Sequence, residues 1–167
     1  LSIDLVTYIT DSIELIDVSV FEDLGGLFEE ISNLPSFILT STFYNCQALE
    51  EVIISSSVVS IDEYAFGDCS ALTKIVIPSS VTFIGAFAFT RCSSLEEVTF
   101  SSTLETIKNN AFNRCTSLNH ISIPSSVTDI EESAFRGCTS LTDIELSSSI
   151  TSISDDLFNE CTSLASI

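Results

Sequence analysis

The sequence predicts a predominantly β solenoid in which the chain returns over itself once every 23 residues and stacks parallel strands coil on coil. Three observations point there. All six cysteines, Cys46, Cys69, Cys92, Cys115, Cys138 and Cys161, stand at one interval of 23 residues. The same apolar positions recur around each Cys, so identical side chains fall into columns. Between them lie a short stretch of period two and a run of Ser and Thr. A fixed period of this length marks a repeat array, whose units bury their apolar faces only against their neighbours.

Residues 1–48 form degenerate N-terminal capping repeats. Ile9-Thr10-Asp11-Ser12-Ile13 aligns with Ile77-Pro78-Ser79-Ser80-Val81, and Ile16, Val20 and Phe21 fall on Ile84, Ala88 and Phe89. The next turn runs one residue short. Glu30 and Leu34-Pro35 break the pattern before Ile38, Phe43 and Cys46 recover it. Irregular end repeats are how solenoids close their cores. This segment holds eight acidic residues and no Lys or Arg, which reads as a solvated negative face.

Residues 49–167 carry the regular repeats of a single solenoid domain. Leu72, Leu95, Leu118 and Leu141 open successive turns, followed three residues on by Ile75, Val98, Ile121 and Ile144. Ile77, Phe100, Ile123 and Leu146 come next, then Val81, Leu104, Val127 and Ile150, and then Ile84, Ile107, Ile130 and Ile153. An Ala-Phe pair closes each turn, ending at Phe66, Phe89, Phe112 and Phe135. Burial of a large apolar side chain contributes roughly 1.5–3 kcal/mol, so such a set holds a turn onto its neighbours.

Alternation at Ile75-Val76-Ile77 reads as a short strand, and in-register stacking makes it a parallel sheet. Val81 and Ile84 give a shorter extended segment on another side. Ser133 to Gly137 has length for no more than one helical or 3₁₀ turn. The hydroxyl ladder Ser56, Ser79, Ser102, Ser125 and Ser148 suits corners, where side-chain oxygens satisfy turn backbone groups. Pro78 and Pro124 mark strand ends. Each Cys stands three residues after a ladder Phe and three before a ladder Leu, so the thiols belong in the core as small hydrophobes. Identical stacked positions do not turn their Cβ vectors toward one another for a disulfide.

Composition excludes several partners. With 24 acidic and 5 basic residues the net charge is −19. Phosphate backbones and anionic membranes are both recognised through Lys and Arg, so neither nucleic acid nor an anionic bilayer is expected as a partner. The apolar fraction excludes a disordered acidic tail. No apolar run approaches the roughly 18 to 20 residues of a membrane helix. The chain has no Met at all, which points to a fragment. Catalysis needs unlike groups brought together, and here there is one His, with every Cys assigned to the core. No metal-ligand spacing and no phosphate-cradling glycine loop is present, so neither an enzyme nor a cofactor is expected.

The pattern Leu-x-x-Ile-x-Ile-Pro-x-Ser-Val-x-x-Ile-x-x-x-Ala-Phe-x-x-Cys, clearest at 72–94 and 118–140, resembles the BspA-like leucine-rich repeat. The resemblance covers residues 49–167 closely and 4–48 loosely. It implies an α/β-class leucine-rich-repeat solenoid, a right-handed superhelix with its parallel sheet on the concave side. It also implies a cell-surface or secreted protein that binds extracellular or host proteins, and it brings no catalytic residues. The glycine that often follows the second-strand Ile is present only as Gly85; Asp62, Lys108, Glu131 and Ser154 stand at the other positions.

The candidate binding surface is the concave strand face. Within Leu-x-x-Ile-x-Ile, the residue before the first Ile and the one between the two point to solvent. The first column reads Glu51, Lys74, Glu97, His120 and Asp143, and the second Ile53, Val76, Thr99, Ser122 and Glu145. Signs vary along the first column, placing Lys74 between Glu51 and Glu97, and His120 between Glu97 and Asp143. Exposed pairs contribute less than about 1 kcal/mol each, so the row serves register as well as recognition. Elsewhere Phe83, Phe87 and Tyr64 form an aromatic group, and Arg91 and Arg114 adjoin beneath Asp68 as an ion-pair row. A non-catalytic protein-binding or adhesion module is the first functional reading. A structural subunit of a larger assembly, joined through an uncovered end coil, is the second.

Overall fold

In the computed structural model, residues 37–54 and 56–165 are described. Most of the capping segment, including Glu30 and Leu34-Pro35, lies outside them. The described residues form nine short strands: β1 (Phe37–Ile38), β2 (Ser60–Ile61), β3 (Lys74–Val76), β4 (Phe83–Ile84), β5 (Glu97–Thr99), β6 (Thr106–Ile107), β7 (His120–Ser122), β8 (Asp129–Ile130) and β9 (Asp143–Glu145). Every pairing is parallel, with partners 23 residues apart, as in Lys74 opposite Glu97 and Ile84 opposite Ile107. The solenoid expected from the period is what forms.

The two strand layers differ from expectation in which one is continuous. The shorter segments join into one five-stranded sheet, β1-β2-β4-β6-β8. The Leu-x-x-Ile-x-Ile strands make two separate pairs, β3-β5 and β7-β9. Pairing lapses between β5 and β7. There the residue after the strand is Phe100, where the flanking coils carry the slimmer Ile77 and Ile123. Its ring is only partly buried and sits edge-on to Phe112, with centroids 5.8 Å apart. Val98 beneath the seam is 8% exposed, against 1% or less for Ile75 and Ile121, so the layer is looser there.

The core is a set of vertical columns. Phe43, Phe66, Phe89, Phe112, Phe135 and Phe158 stack with successive centroid distances of 5.0, 5.2, 5.1, 5.4 and 6.0 Å and nearly parallel planes. Offset stacking of this kind stabilises beyond the buried area alone. All six cysteines are buried as thiols, none in a disulfide. Their thiols do more than fill space: Cys69 donates to the carbonyl of Phe43 at 3.0 Å, Cys92 to Phe66 at 3.1 Å and Cys115 to Phe89 at 3.1 Å. Each therefore ties its coil to the Phe of the one before. Burial pushes the Cys92 thiol up to about 12 and Cys115 well above the ordinary value, because a thiolate there would lose its hydration.

The segment before each Cys was expected to hold a helical or 3₁₀ turn, and the described residues contain neither. Consecutive β-turns take its place, with Ala65 N–H donating to the Asp62 carbonyl, Gly67 to Tyr64, Cys69 to Phe66 and Leu72 to Cys69. Every fourth residue there is left-handed, which a right-handed helix cannot accommodate. One such column is Ser41, Tyr64, Phe87, Asn110, Ser133 and Asp156; the other is Asn45, Asp68, Arg91, Arg114, Gly137 and Glu160. Left-handed geometry costs a side-chain-bearing residue about 1–2 kcal/mol. Regular bonds between coils offset that cost. Tyr64, Phe66 and Asp68 donate to the carbonyls of Ala86, Ala88 and Thr90, and the same triplet recurs for each coil pair through Ser133, Phe135 and Gly137.

At the other corner Val81 N–H donates to the Pro78 carbonyl and Val127 to Pro124, turning the chain between its two strand layers. The hydroxyls expected to satisfy this corner do so only in part: Thr103 and Ser149, each beside a ladder serine, donate to the Ser79 and Ser125 carbonyls of the coil before, both at 2.7 Å, whereas the buried hydroxyls of Ser80 and Ser126 have no protein partner. Gly85 marks the tightest approach of two coils. A Cβ there would stand 2.5 Å from the carbonyl carbon of Asp62.

Candidate functional site

The alternation within each strand exposes both predicted columns. Glu51, Ile53, Lys74, Val76, Glu97, Thr99, His120, Ser122, Asp143 and Glu145 all face solvent, while Val52, Ile75, Val98 and Ile121 between them are buried. Ile53 and Val76, 50% and 57% exposed, make a small apolar area at the β3 end. A period of two on a surface strand gives this arrangement without further help.

Neighbouring coils bring opposite charges together on this face. Lys74 Nζ lies 2.8 Å from Glu51 Oε1, and this carboxylate holds the ammonium above its usual pKa. Lys74 also stands opposite Glu97 in the β3-β5 register. His120 Nδ1 stands 3.2 Å from Asp143 Oδ2, and the Ser122 hydroxyl donates to Glu145 at 2.8 Å. The structure thus brings the ten residues into two linked groups, one on β3-β5 with residues 51–53 and one on β7-β9. Glu97 and His120 face each other across the unpaired seam rather than along a ladder.

The seam is a cleft of about 600 Å³. Glu96, Glu97, Phe100, His120 and Pro124 are among its lining residues, so carboxylates, an imidazole and partly exposed apolar surface meet there. The size falls within the range of small-ligand pockets, though the setting is an open face rather than an enclosed chamber. Sequence reasoning placed the two rim residues on the exposed side of the strands, where they lie, and missed the break between them. The substitution of Phe100-Ser101 for Ile-Pro was the available signal.

Outside this face, Tyr64 and Phe87 stack with centroids 4.8 Å apart, and Tyr44 sets its edge against Tyr64 at 5.8 Å. The ion-pair row expected nearby is only partly formed. Arg91 approaches Asp68 at 3.7 Å, whereas Arg114 forms no contact ion pair among the described residues and only helps to lower the Glu160 pKa from a longer distance. No cluster of His, Cys, Asp or Glu suited to a metal ion occurs among the described residues, and none of their helices is long and apolar enough to cross a membrane.

In-register parallel coils, a Leu-x-x-Ile-x-Ile strand on each regular turn and a continuous Phe and Cys spine define a leucine-rich-repeat solenoid. Residues 36–165 match the BspA type leucine rich repeat region in six copies, and the chain belongs to that family. Solved structures agree. A leucine rich repeat protein of T. pallidum is 35% identical, with a TM-score of 0.74 over 75% of this chain and 58% of its own. A leucine rich cell surface protein of Faecalibacterium prausnitzii is 38% identical, with a TM-score of 0.65 over 66% of this chain and 29% of its own. A leucine-rich repeat protein of Eubacterium ventriosum is 26% identical, with a TM-score of 0.69 over 77% of this chain and 35% of its own. The chain therefore spans little more than half the length of the first of these and about a third of the other two. No curated protein sequence matches it.

Proposed function

We propose that this chain is a non-catalytic protein-binding module of a cell-surface or secreted protein, with its partner seated on the strand face from Glu51 to Glu145. The observation that carries this reading is the seam between β5 and β7. It opens a cleft with a charged rim and a partly exposed aromatic floor in the middle of an exposed strand face. Apolar anchors surrounded by polar rims are what protein interfaces use. The excess of carboxylates selects for a basic segment on the partner, and like-charge repulsion disfavours acidic ones. The surface location is supported by the likeness to the leucine rich cell surface protein of F. prausnitzii.

The test is capture of extracellular-matrix and host-surface proteins by the immobilised chain and by a variant carrying Lys74→Ala, Glu97→Ala and His120→Ala. Capture that survives the triple substitution unchanged would remove the strand face from the reading. A mass that rises with concentration in light scattering, with no captured partner, would favour an assembly subunit instead.

A further inference from the structure

Three of the five basic residues of this chain line one depression on the turn face. It measures about 350 Å³, and Arg91, Arg114 and Arg136 line it together with Tyr44, Tyr64 and Phe87. Asn110 and Asn113 also line it. In a chain with 24 acidic residues this is a local gathering of cations: Asp68 is the one carboxylate among the lining residues, with Glu160 and Asp156 acting on the arginines from beside them.

The cations are unequally engaged. Arg136 is held by Glu160 at 2.6 Å, and Arg91 only loosely by Asp68 at 3.7 Å. Arg114 is the one Lys or Arg without an ion pair among the described residues. Gly137 follows it in the left-handed column. A Cβ at Gly137 would stand 3.1 Å from Arg114 Cγ, so the glycine leaves room for the arginine stem. The two amides are joined by a bond from Asn113 Nδ2 to Asn110 Oδ1 at 2.9 Å, leaving one amide's donors and the other's acceptor available.

We infer that this depression is a second binding site, independent of the strand face, for a carboxylate-bearing pyranose such as a terminal acidic sugar of a glycan. A guanidinium fork matches a carboxylate. Paired amides offer donors and acceptors to ring hydroxyls, and aromatic surface meets the apolar face of a sugar ring. The volume admits one or two sugar rings. A single charge is favoured over a polyanion, which the net charge of −19 would repel.

The test uses the whole chain labelled with ¹⁵N and titrated at low salt with methyl glucuronide, methyl glucoside and acetate. The expected result is saturable shifts of the Asn110, Asn113 and Arg114 amides with the glucuronide, weaker ones with the glucoside and acetate. Arg114→Gln should weaken binding by about tenfold or more, the scale of one hydrogen bond to a charged group. That variant breaks no ion pair, and an unchanged melting temperature confirms its fold. Phe87→Leu should weaken the glucuronide more than it weakens acetate. Equal binding of acetate and glucuronide reduces the site to an adventitious anion only and overturns the assignment. So would equal binding of the neutral glucoside, shifts confined to the strand face, or an unaffected Arg114→Gln variant. Tighter capture of a tyrosine-sulfated peptide than of the glucuronide would transfer the site from glycan to peptide recognition.

Discussion

Replacing Phe112 by Ala tests the core where it is most continuous. The ring is fully buried between Phe89 at 5.1 Å and Phe135 at 5.4 Å, with the edge of Phe100 at 5.8 Å. Truncating a core Phe costs about 3–5 kcal/mol through lost transfer energy and the cavity left behind. Three aromatic contacts, each contributing about 0.5–1.5 kcal/mol beyond burial, place this site near the top of that range. Phe158 provides the internal comparison, being half-buried with one ring neighbour at 6.0 Å. Its truncation should cost about 1–2 kcal/mol. Urea unfolding followed by circular dichroism at 25 °C yields both values from the midpoint and slope. Because coupling in a solenoid runs between nearest neighbours, Phe112→Ala should also broaden the transition as the two halves separate. Equal costs at the two sites, or less than about 2 kcal/mol at Phe112, would refute the stacked-spine account.

Gly85→Ala should destabilise by about 1–3 kcal/mol, since the new methyl meets backbone rather than a movable side chain; a thermal melt reads it. Glu131→Gln should cost about 1 kcal/mol by weakening two bonds, from Lys108 Nζ at 2.6 Å and from the Asn109 N–H at 3.0 Å, and the loss should shrink at high salt. The raised thiols make stability fall with alkali. They remain protonated in the fold while unfolded thiols ionise near 8.5, so the contribution is complete below that pH and is lost as pH rises toward about 12. A disulfide exchange reagent at pH 8 should accordingly leave Cys92 and Cys115 unmodified until urea unfolds the chain, and rapid modification of either would contradict their burial.

The winding of this chain was legible because its core is monotonous. Cys46 through Cys161 and Phe43 through Phe158 repeat without change, so one interval fixed every inward side chain and, by alternation, the exposed columns of the strand face. What escaped were features set by positions that vary. The left-handed columns carry Ser, Tyr, Phe, Asn, Asp, Arg and Glu, a mixture with no propensity signature, and a helical turn was the natural reading of Ser133 to Gly137. Asn45, Asn110 and Gly137 were the traces of it. The seam arose from bulk, through Phe100, rather than from polarity, which the hydrophobic pattern does not register. Arg136 is one position out of register with Arg91 and Arg114, so column counting separated it from them.

The constant offset of the bonds between coils has a consequence for how such a chain changes length. Tyr64 bonds to Ala86 as Phe87 does to Asn109 and Asn110 to Glu132. Cutting out one whole period would bring together two surfaces that already fit, since every layer presents the same donors, the same ring and the same sulfur to the next. Losing a single residue would instead misalign every contact beyond the cut. Growth and shrinkage are therefore quantised: the molecule tolerates editing by the storey and resists editing by the brick.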